Sequence, residues 1–477
     1  MNTFLEYYRC PEECAPFAFP AAPSGQPGYF QFGPDVICFG RLGGMRTSEE
    51  PGRDLNDVLP SVCIQDSHCR LPFDPGEVVE NLRNERYVNG HHKSATTPGV
   101  RFSAKKAYSR IRPFIPVFLR RHLQRLHLHG WKGIHFPNWP VDRTVDRMFE
   151  RLLALSLRTT GVPAIPFIWF WPDGYLSCAI MTHDVETSAG RDFCSQLMLL
   201  DERRGIKSAF QIVPEERYEV TPAFLRSFQE RGFEVNVHDL NHDGDLFNER
   251  EQFLQRARRI NEYVRKYSAV GFRSGVLYRN PDWYEAFEFS YDMSIPCVAH
   301  LEAQRGGCCT TMPFFIGKIL ELPLTTSQDY SLFHLLDDYS LEIWMRQIRI
   351  IMEGHGLISC IAHPDYLIKK RARRSYESLL DFLAHLRARA NLWLPLPRDV
   401  NQWWRERSAM RLVRRGDTWQ IEGQGKERAR IAWAKLDGDR LVYSFSQDGK
   451  PAAEALGSQR GSHMPKVSLP ESVSILK

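Results

Sequence analysis

No run in this sequence is long and apolar enough to cross a bilayer. The most apolar window, Ile165 to Trp171, falls far short of the roughly 20 residues a membrane helix needs. No basic-apolar-small leader pattern is present, so no export signal is expected and a reducing cytoplasm is the expected compartment. Net charge is scarce too: 62 basic against 57 acidic residues leave +5 over 477 positions. Composition therefore gives no basis for a nucleic-acid partner, and none is expected. Tight cysteine pairs are missing. The eleven cysteines are odd in number and scattered, several of them inside apolar runs where a reduced thiol packs as a small hydrophobe. Cys10, Cys14, Cys63, His68 and Cys69 carry ligand-type side chains, but their spacing fits no paired-cysteine metal motif.

What is present is the composition of an ordinary globular protein, 43% hydrophobic and 25% charged, long enough for two or three domains. Residues 1–160 read as an accessory region, rich in Pro and Gly at first. Within it lies a basic, aliphatic stretch from Lys105 to Lys132 with Arg120, Arg121 and Arg125, which reads as an amphipathic helix with a solvated basic face. Phe136 to Pro140 reads as a rigid extended link and Asp146 to Leu157 as a helix. Between 161 and 405, strand-like runs alternate with amphipathic helical stretches. The runs are Leu176–Val185, Ser208–Val213, Phe233–His238, Ala269–Phe272, Phe289–Ile295, Lys318–Leu324 and Leu357–Ala362. Such alternation predicts an α/β fold of parallel strands with crossover helices, either open or closed into a barrel. Residues 406–447 read as a small β meander with a hairpin turn at Asp437-Gly438, and 448–477 as a disordered tail.

Four of the runs end on groups that carry chemistry. Thr182-His183-Asp184-Val185-Glu186 closes an apolar strand with two carboxylates. Side chains alternate along a strand, so Thr182, Asp184 and Glu186 share one face. One carboxylate can then accept a proton while its neighbour holds a metal; the plainer reading is a strand end followed by a Thr helix cap. Phe233 to His238 alternates apolar and polar residues and ends in His238, with His242 four residues on. Two histidines and a carboxylate are a set used for catalytic zinc with open coordination positions, and other divalent metals also accept it. Gly271-Phe272-Arg273-Ser274-Gly275 places an arginine where it can orient a carboxylate. Leu357 to Ala362 ends in His363-Pro364, a histidine suited to general acid work near neutral pH.

The order and context of these runs resemble the polysaccharide deacetylases, carbohydrate esterase family 4, over about residues 170 to 400. The resemblance implies a distorted (β/α)7-type barrel with its site at the strand C-terminal ends. It implies metal-dependent removal of acetyl groups from an N-acetylated sugar or oligosaccharide of a bacterial glycan. By the same resemblance Asp184 is the catalytic base, Arg273 its partner, His363 the acid and Asp292 the aspartate that tunes it. Glu186, His238 and His242 would hold a divalent metal, zinc first, with cobalt, nickel or manganese as alternatives. The chain departs from the common pattern in having Asp184-Val185-Glu186 where the family has adjacent aspartates, Asp239 after the first histidine, and Ser274-Gly275 after Arg273. These departures motivate a second reading, a non-catalytic carbohydrate-binding or scaffold protein on the same barrel.

Overall fold

The structure is a computed structural model that describes residues 2–20, 25–52, 54–88 and 130–445. The expected basic helix of Lys105–Lys132 lies almost wholly outside the described residues, and the tail 448–477 lies entirely outside them. Its centre is a curled nine-stranded sheet: β1 (Ser177–Val185), β2 (Ala209–Ile212), β3 (Glu234–His238), β4 (Gly271–Arg273), β5 (Tyr291–Asp292), β6 (Phe314–Ile316), β7 (Ile319–Glu321), β8 (Leu357–Ile361) and β9 (Leu392–Trp393). The order across the sheet is β6-β7-β5-β4-β3-β2-β1-β8, with β9 pairing to the start of β1. Every pairing is parallel except β6 with β7. The alternation in sequence therefore resolves as a distorted (β/α) barrel. Its seam, between the segment after β7 and β8, is stitched largely by side chains. Thr325 Oγ1 donates to Leu357 O (2.7 Å) and accepts from Ser359 N (2.9 Å), and Thr326 Oγ1 donates to Ser359 O (2.8 Å).

Six of the seven sequence-read runs contain a sheet strand, and the seventh, Ala269–Phe272, stops one residue short of the end of β4. The two further strands, β6 and β9, are three and two residues long, too short to leave a periodic signal. Every residue of β1 is buried because helices cover one face and the barrel interior the other, as expected of parallel strands. Helices Ser188–Glu202, Pro222–Gln229, Arg250–Tyr267, Glu342–Glu353 and Lys370–Arg389 form that outer layer. Their apolar stripes meet the sheet through Leu197, Phe228, Ile260, Ile348 and Leu383. Where β4 meets β5 the spacing requires glycine: a Cβ on Gly271 would lie 2.2 Å from the Tyr291 ring.

A second apolar cluster lies at the barrel's N-terminal side. It joins Tyr7 and Phe30 near the chain start, Phe149 on helix Thr144–Thr160, Trp169, Trp403 and Ala432. The apolar strand Ile165–Ile168, ahead of the barrel in the chain, pairs with Ile431–Asp437, itself paired with Arg440–Phe445. Arg411–Arg415 and Thr418–Glu422 form a separate hairpin, so the C-terminal strands are two small sheets rather than one meander. Phe136–Pro137 and Trp139–Pro140 are cis. Among the described residues no helix is long and apolar enough to cross a membrane.

Candidate active site

Parallel pairing brings the strand ends to one level. Thr182 pairs with Ile361 on one side and Ala209 on the other, and Arg273 pairs with His238. The residues at or just past those pairs, Asp184, Glu186, His238, Arg273 and His363, therefore converge at the C-terminal mouth of the barrel. All of these but Arg273 line a cavity of about 180 Å³.

Thr182, Asp184 and Glu186 do share a face. Arg273 Nη1 donates to Thr182 Oγ1 (2.9 Å) and Asp184 Oδ1 (2.6 Å), while its Nε donates to Met293 O (3.0 Å). The guanidinium is fully buried, so it is fixed in place and its charge is felt at short range. Burial opposes ionisation of Asp184, but Arg273 and then His238 outweigh it and hold the carboxyl below its ordinary range. The plainer reading of this segment is also realised one residue further on. Thr187 Oγ1 accepts from Gly190 N at 3.0 Å and caps helix Ser188–Glu202.

Glu186 sits among three imidazoles. Its Oε1 lies 2.9 Å from His242 Nε2, 3.6 Å from His238 Nε2 and 3.4 Å from His363 Nε2. Burial raises the Glu186 pKa, yet His242 and the other imidazoles bring it well below the usual carboxylate range. His238 is oriented by its other nitrogen, Nδ1, which meets Arg273 O at 3.0 Å. Asp239 and His242 both take left-handed backbone conformations (φ 55° and 57°), which turn the chain back so that His242 faces β1. Arg217 secures this loop by donating to Asn241 O and His242 O. A side chain at Gly275 would fill the space: its Cβ would lie 2.4 Å from Asp239 Oδ2 and 3.1 Å from the His242 ring.

Ligand-type atoms of Glu186, His238 and His242 all lie within 4.8 Å of one another. The buried Nε2 atoms of both histidines make no hydrogen bond, although each approaches Glu186. Two orphaned imidazole nitrogens and a carboxylate facing one point are a donor set that fits a divalent cation. Among the described residues, the cysteines and His68 of the N-terminal region form no comparable group. Cys63 is exposed, whereas Cys10, Cys14 and Cys69 pack in the core.

One expected site residue is displaced. Asp292 does not reach His363: its carboxylate accepts from Tyr284 Oη (2.9 Å) and Ser294 Oγ (2.6 Å) inside the barrel. His363 is held instead by Asp329, whose Oδ1 lies 2.6 Å from His363 Nδ1 and whose Oδ2 accepts from His363 N at 2.7 Å. Burial lowers the imidazole pKa, but Asp329 first and Glu186 next raise it well above the ordinary value. β5 ends at Asp292, which the register carries to the level of Val185, but its carboxylate is taken up by Tyr284 and Ser294 and does not line the cavity. Asp329 lies beyond β7, past the end of the Lys318–Leu324 run, and is a further case of an apolar run leading to an ionisable group. The pattern that marked the other four sites marks this one as well, offset by a short loop.

Connecting segments complete the walls: Val276 and Leu277 after β4, Leu301 and Glu302 after β5, and Gln328, Tyr330 and Tyr366 after β7 and β8.

No protein-family model and no curated protein sequence matches the chain. Among solved structures, it is similar to a Mycobacterium smegmatis protein described as a polysaccharide deacetylase (16% identity, 50% of this chain and 93% of that one, TM-score 0.41). It is similar to PuuE allantoinase (12%, 49% and 92%, TM-score 0.37) and to the peptidoglycan deacetylase PdaC of Bacillus subtilis (10%, 49% and 93%, TM-score 0.32).

Proposed function

We propose that the protein is a divalent-metal-dependent N-deacetylase that hydrolyses the acetamide of an N-acetylated sugar or oligosaccharide. One observation carries this reading: the Glu186, His238 and His242 donor set is flanked in the same cavity by an Arg273-held carboxylate, Asp184, and an Asp329-held imidazole, His363. A base and an acid beside a metal-type donor set are what amide hydrolysis needs.

Glu186, His238 and His242 would hold the cation, which when bound supplies Lewis acidity toward a carbonyl and lowers the pKa of water. Asp184 is kept ionised by Arg273, which takes Oδ1 and leaves Oδ2 as the proton acceptor for an attacking water. His363 is kept protonated by Asp329 and directs Nε2 into the cavity, where it gives its proton to the departing nitrogen. The C–N bond breaks, and water is divided between acetate and a free amine. Asp329 takes the tuning role that the sequence resemblance assigned to Asp292. Zinc is the first candidate metal on its preference for two nitrogens and a carboxylate. A cytoplasmic location belongs to the same proposal and is supported by eleven free cysteines, ten of them buried; appearance of the protein in a periplasmic or secreted fraction would refute it.

The test is acetate release from N-acetylhexosamines by the zinc- or cobalt-loaded protein, with metal content measured in parallel. Asp184→Asn is expected to retain metal and lose about 10²-fold or more in turnover, and His238→Ala to lose the metal. Stoichiometric metal with no acetate from any such sugar would overturn the catalytic reading and favour the non-catalytic carbohydrate-binding one.

A further inference from the structure

The same cavity carries a carboxylate that the hydrolytic groups do not use. Glu302 is 8% exposed and belongs to the segment after β5. Its Oε2 accepts from Gln328 Nε2, and its Oε1 accepts from Ser331 Oγ at 3.5 Å. Both donors are neutral. The basic residue best placed to neutralise it, Arg279, is engaged elsewhere: its guanidinium makes two bonds to Glu85 and one to Leu277 O. Among the described residues no ion pair reaches Glu302. A carboxylate offers about four acceptor positions, so Glu302 retains capacity for donors that the protein does not supply. Burial raises its pKa above the ordinary value, against Gln328, Arg279, Ser331 and His363, which lower it.

The rest of the wall is the complement of that acceptor. Val276, Leu277, Leu301 and Leu335 make an apolar surface beside Glu302 and Gln328. The cavity, about 180 Å³, is close to the 150 Å³ that accommodates a benzene ring in another protein. Among the described residues it has room for about one six-membered ring. A sugar ring presents both surfaces required, an apolar C–H face and peripheral hydroxyl donors.

We infer that Glu302, with Gln328, forms the recognition subsite for a single terminal sugar ring, accepting hydrogen bonds from its hydroxyls while the N-acyl group reaches the Glu186, His238 and His242 end. The substrate class is thereby narrowed to a monosaccharide unit, free or at a chain end. The inference rests on the deacetylase reading for the acyl end and on Glu302 alone for the ring.

Calorimetric titration of the zinc-loaded full chain tests it, with N-acetylglucosamine, N-acetylgalactosamine, N-acetylmannosamine and the N-acetylglucosamine tetramer as probes. At least one monosaccharide should bind, and Glu302→Gln should weaken that binding by about tenfold or more with zinc content unchanged. Monodeoxy analogues of the bound sugar supply the readout that a structural role would not move. One hydroxyl deletion should weaken binding to the wild type and leave binding to Glu302→Gln unaffected. If the Gln variant does not fold, the deoxy series on the wild type still decides, because uniform affinity across it overturns the subsite. Binding of the tetramer alone, of no probe, or of monosaccharides equally by wild type and Glu302→Gln also overturns it. Glu302-dependent binding without acetate release leaves the subsite standing and removes the deacetylase reading. Acetate release indifferent to Glu302 does the reverse.

Discussion

Arg273 is the residue on which most of the site's charge balance depends. It is the fixed cation for Asp184, and it is buried together with it. Removing one member of such a pair leaves an uncompensated buried charge, which typically costs about 3–5 kcal/mol. Arg273→Met is therefore expected to lower unfolding free energy by about that amount in urea denaturation. Asp184→Asn in the same chain should restore a large part, because the orphaned charge disappears. Additive losses in the double variant would show that Arg273 acts through packing and its bond to Met293 O instead. Asp329 invites a separate comparison with Asp292. Asp329→Asn is expected to reduce acetate release about 10²-fold without loss of zinc, while Asp292→Asn should act on stability through Tyr284 and Ser294. Equal catalytic losses from the two would restore Asp292 to the site. A third residue gives a pH signature. Burial pushes the Glu234 carboxyl up to about 7 from an ordinary 4.5, against hydrogen bonds from Tyr291 Oη and Arg398 N. Between those values the folded chain keeps a proton that the unfolded chain has released, so stability falls as pH rises through the window. The loss is up to about 3 kcal/mol above pH 7. Glu234→Gln should flatten the decline in Tm between about pH 5 and 8, and an unchanged slope would place the proton elsewhere.

At the scale of elements, the legible parts are those where packing imposes a period. β1, β3 and β8 are buried along their whole length, so their apolar runs and the ionisable residues ending them stand out in sequence. Short and irregular parts do not. β5 is two residues long, and it is flanked by apolar residues, Phe289, Met293 and Ile295, that extend the run without extending the strand. Asp292 is therefore offered only by the family resemblance, and Asp329, beyond the end of its apolar run, is not read at all. The walls built from Leu301, Glu302, Gln328 and Tyr330 have no period at all, since loop residues are placed by the elements they connect. The β4–β5 contact offers a test at this scale. Gly271→Ala would force its Cβ into the Tyr291 ring, which also donates to Glu234. A loss of about 1–3 kcal/mol is expected, the range for overpacking a tight core. Tyr291→Phe leaves the ring in place and should not relieve it, whereas Tyr291→Ala should. Relief by phenylalanine would mean that the hydroxyl, not the ring, is the obstacle.

For the whole molecule, one apolar cluster draws residues from both sides of the boundaries read from sequence. Arg407, 2% exposed on helix Pro397–Ala409, donates only to backbone carbonyls. Its Nε bonds Trp169 O (2.9 Å), and its Nη2 bonds Ile168 O (2.8 Å), Tyr7 O (2.9 Å) and Tyr8 O (3.4 Å). One side chain thus ties the first helix, Thr3–Tyr8, to the strand entering the barrel and to the helix leaving it. Burial without a carboxylate partner pushes its pKa down to about 9. Glu85 makes a second tie, through Arg279 and Gly307 N, to segments that line or support the cavity. The accessory region is therefore part of the structure that shapes the site. A chain cut to residues 161–405 would expose Trp169, Trp171 and Trp403 and leave Arg407 without the Tyr7 and Tyr8 carbonyls. It is expected to lack a cooperative thermal transition, and the intact chain to unfold in one transition by both far-UV and near-UV circular dichroism. Arg407→Met in the full chain should lower stability by about 1–3 kcal/mol, the cost of stranding buried carbonyls. Hydrogen exchange locates the effect: loss of protection should begin at Thr3–Tyr8. A cooperative, metal-binding 161–405 fragment would show instead that the barrel is autonomous and that the N-terminal region is an appendage to it.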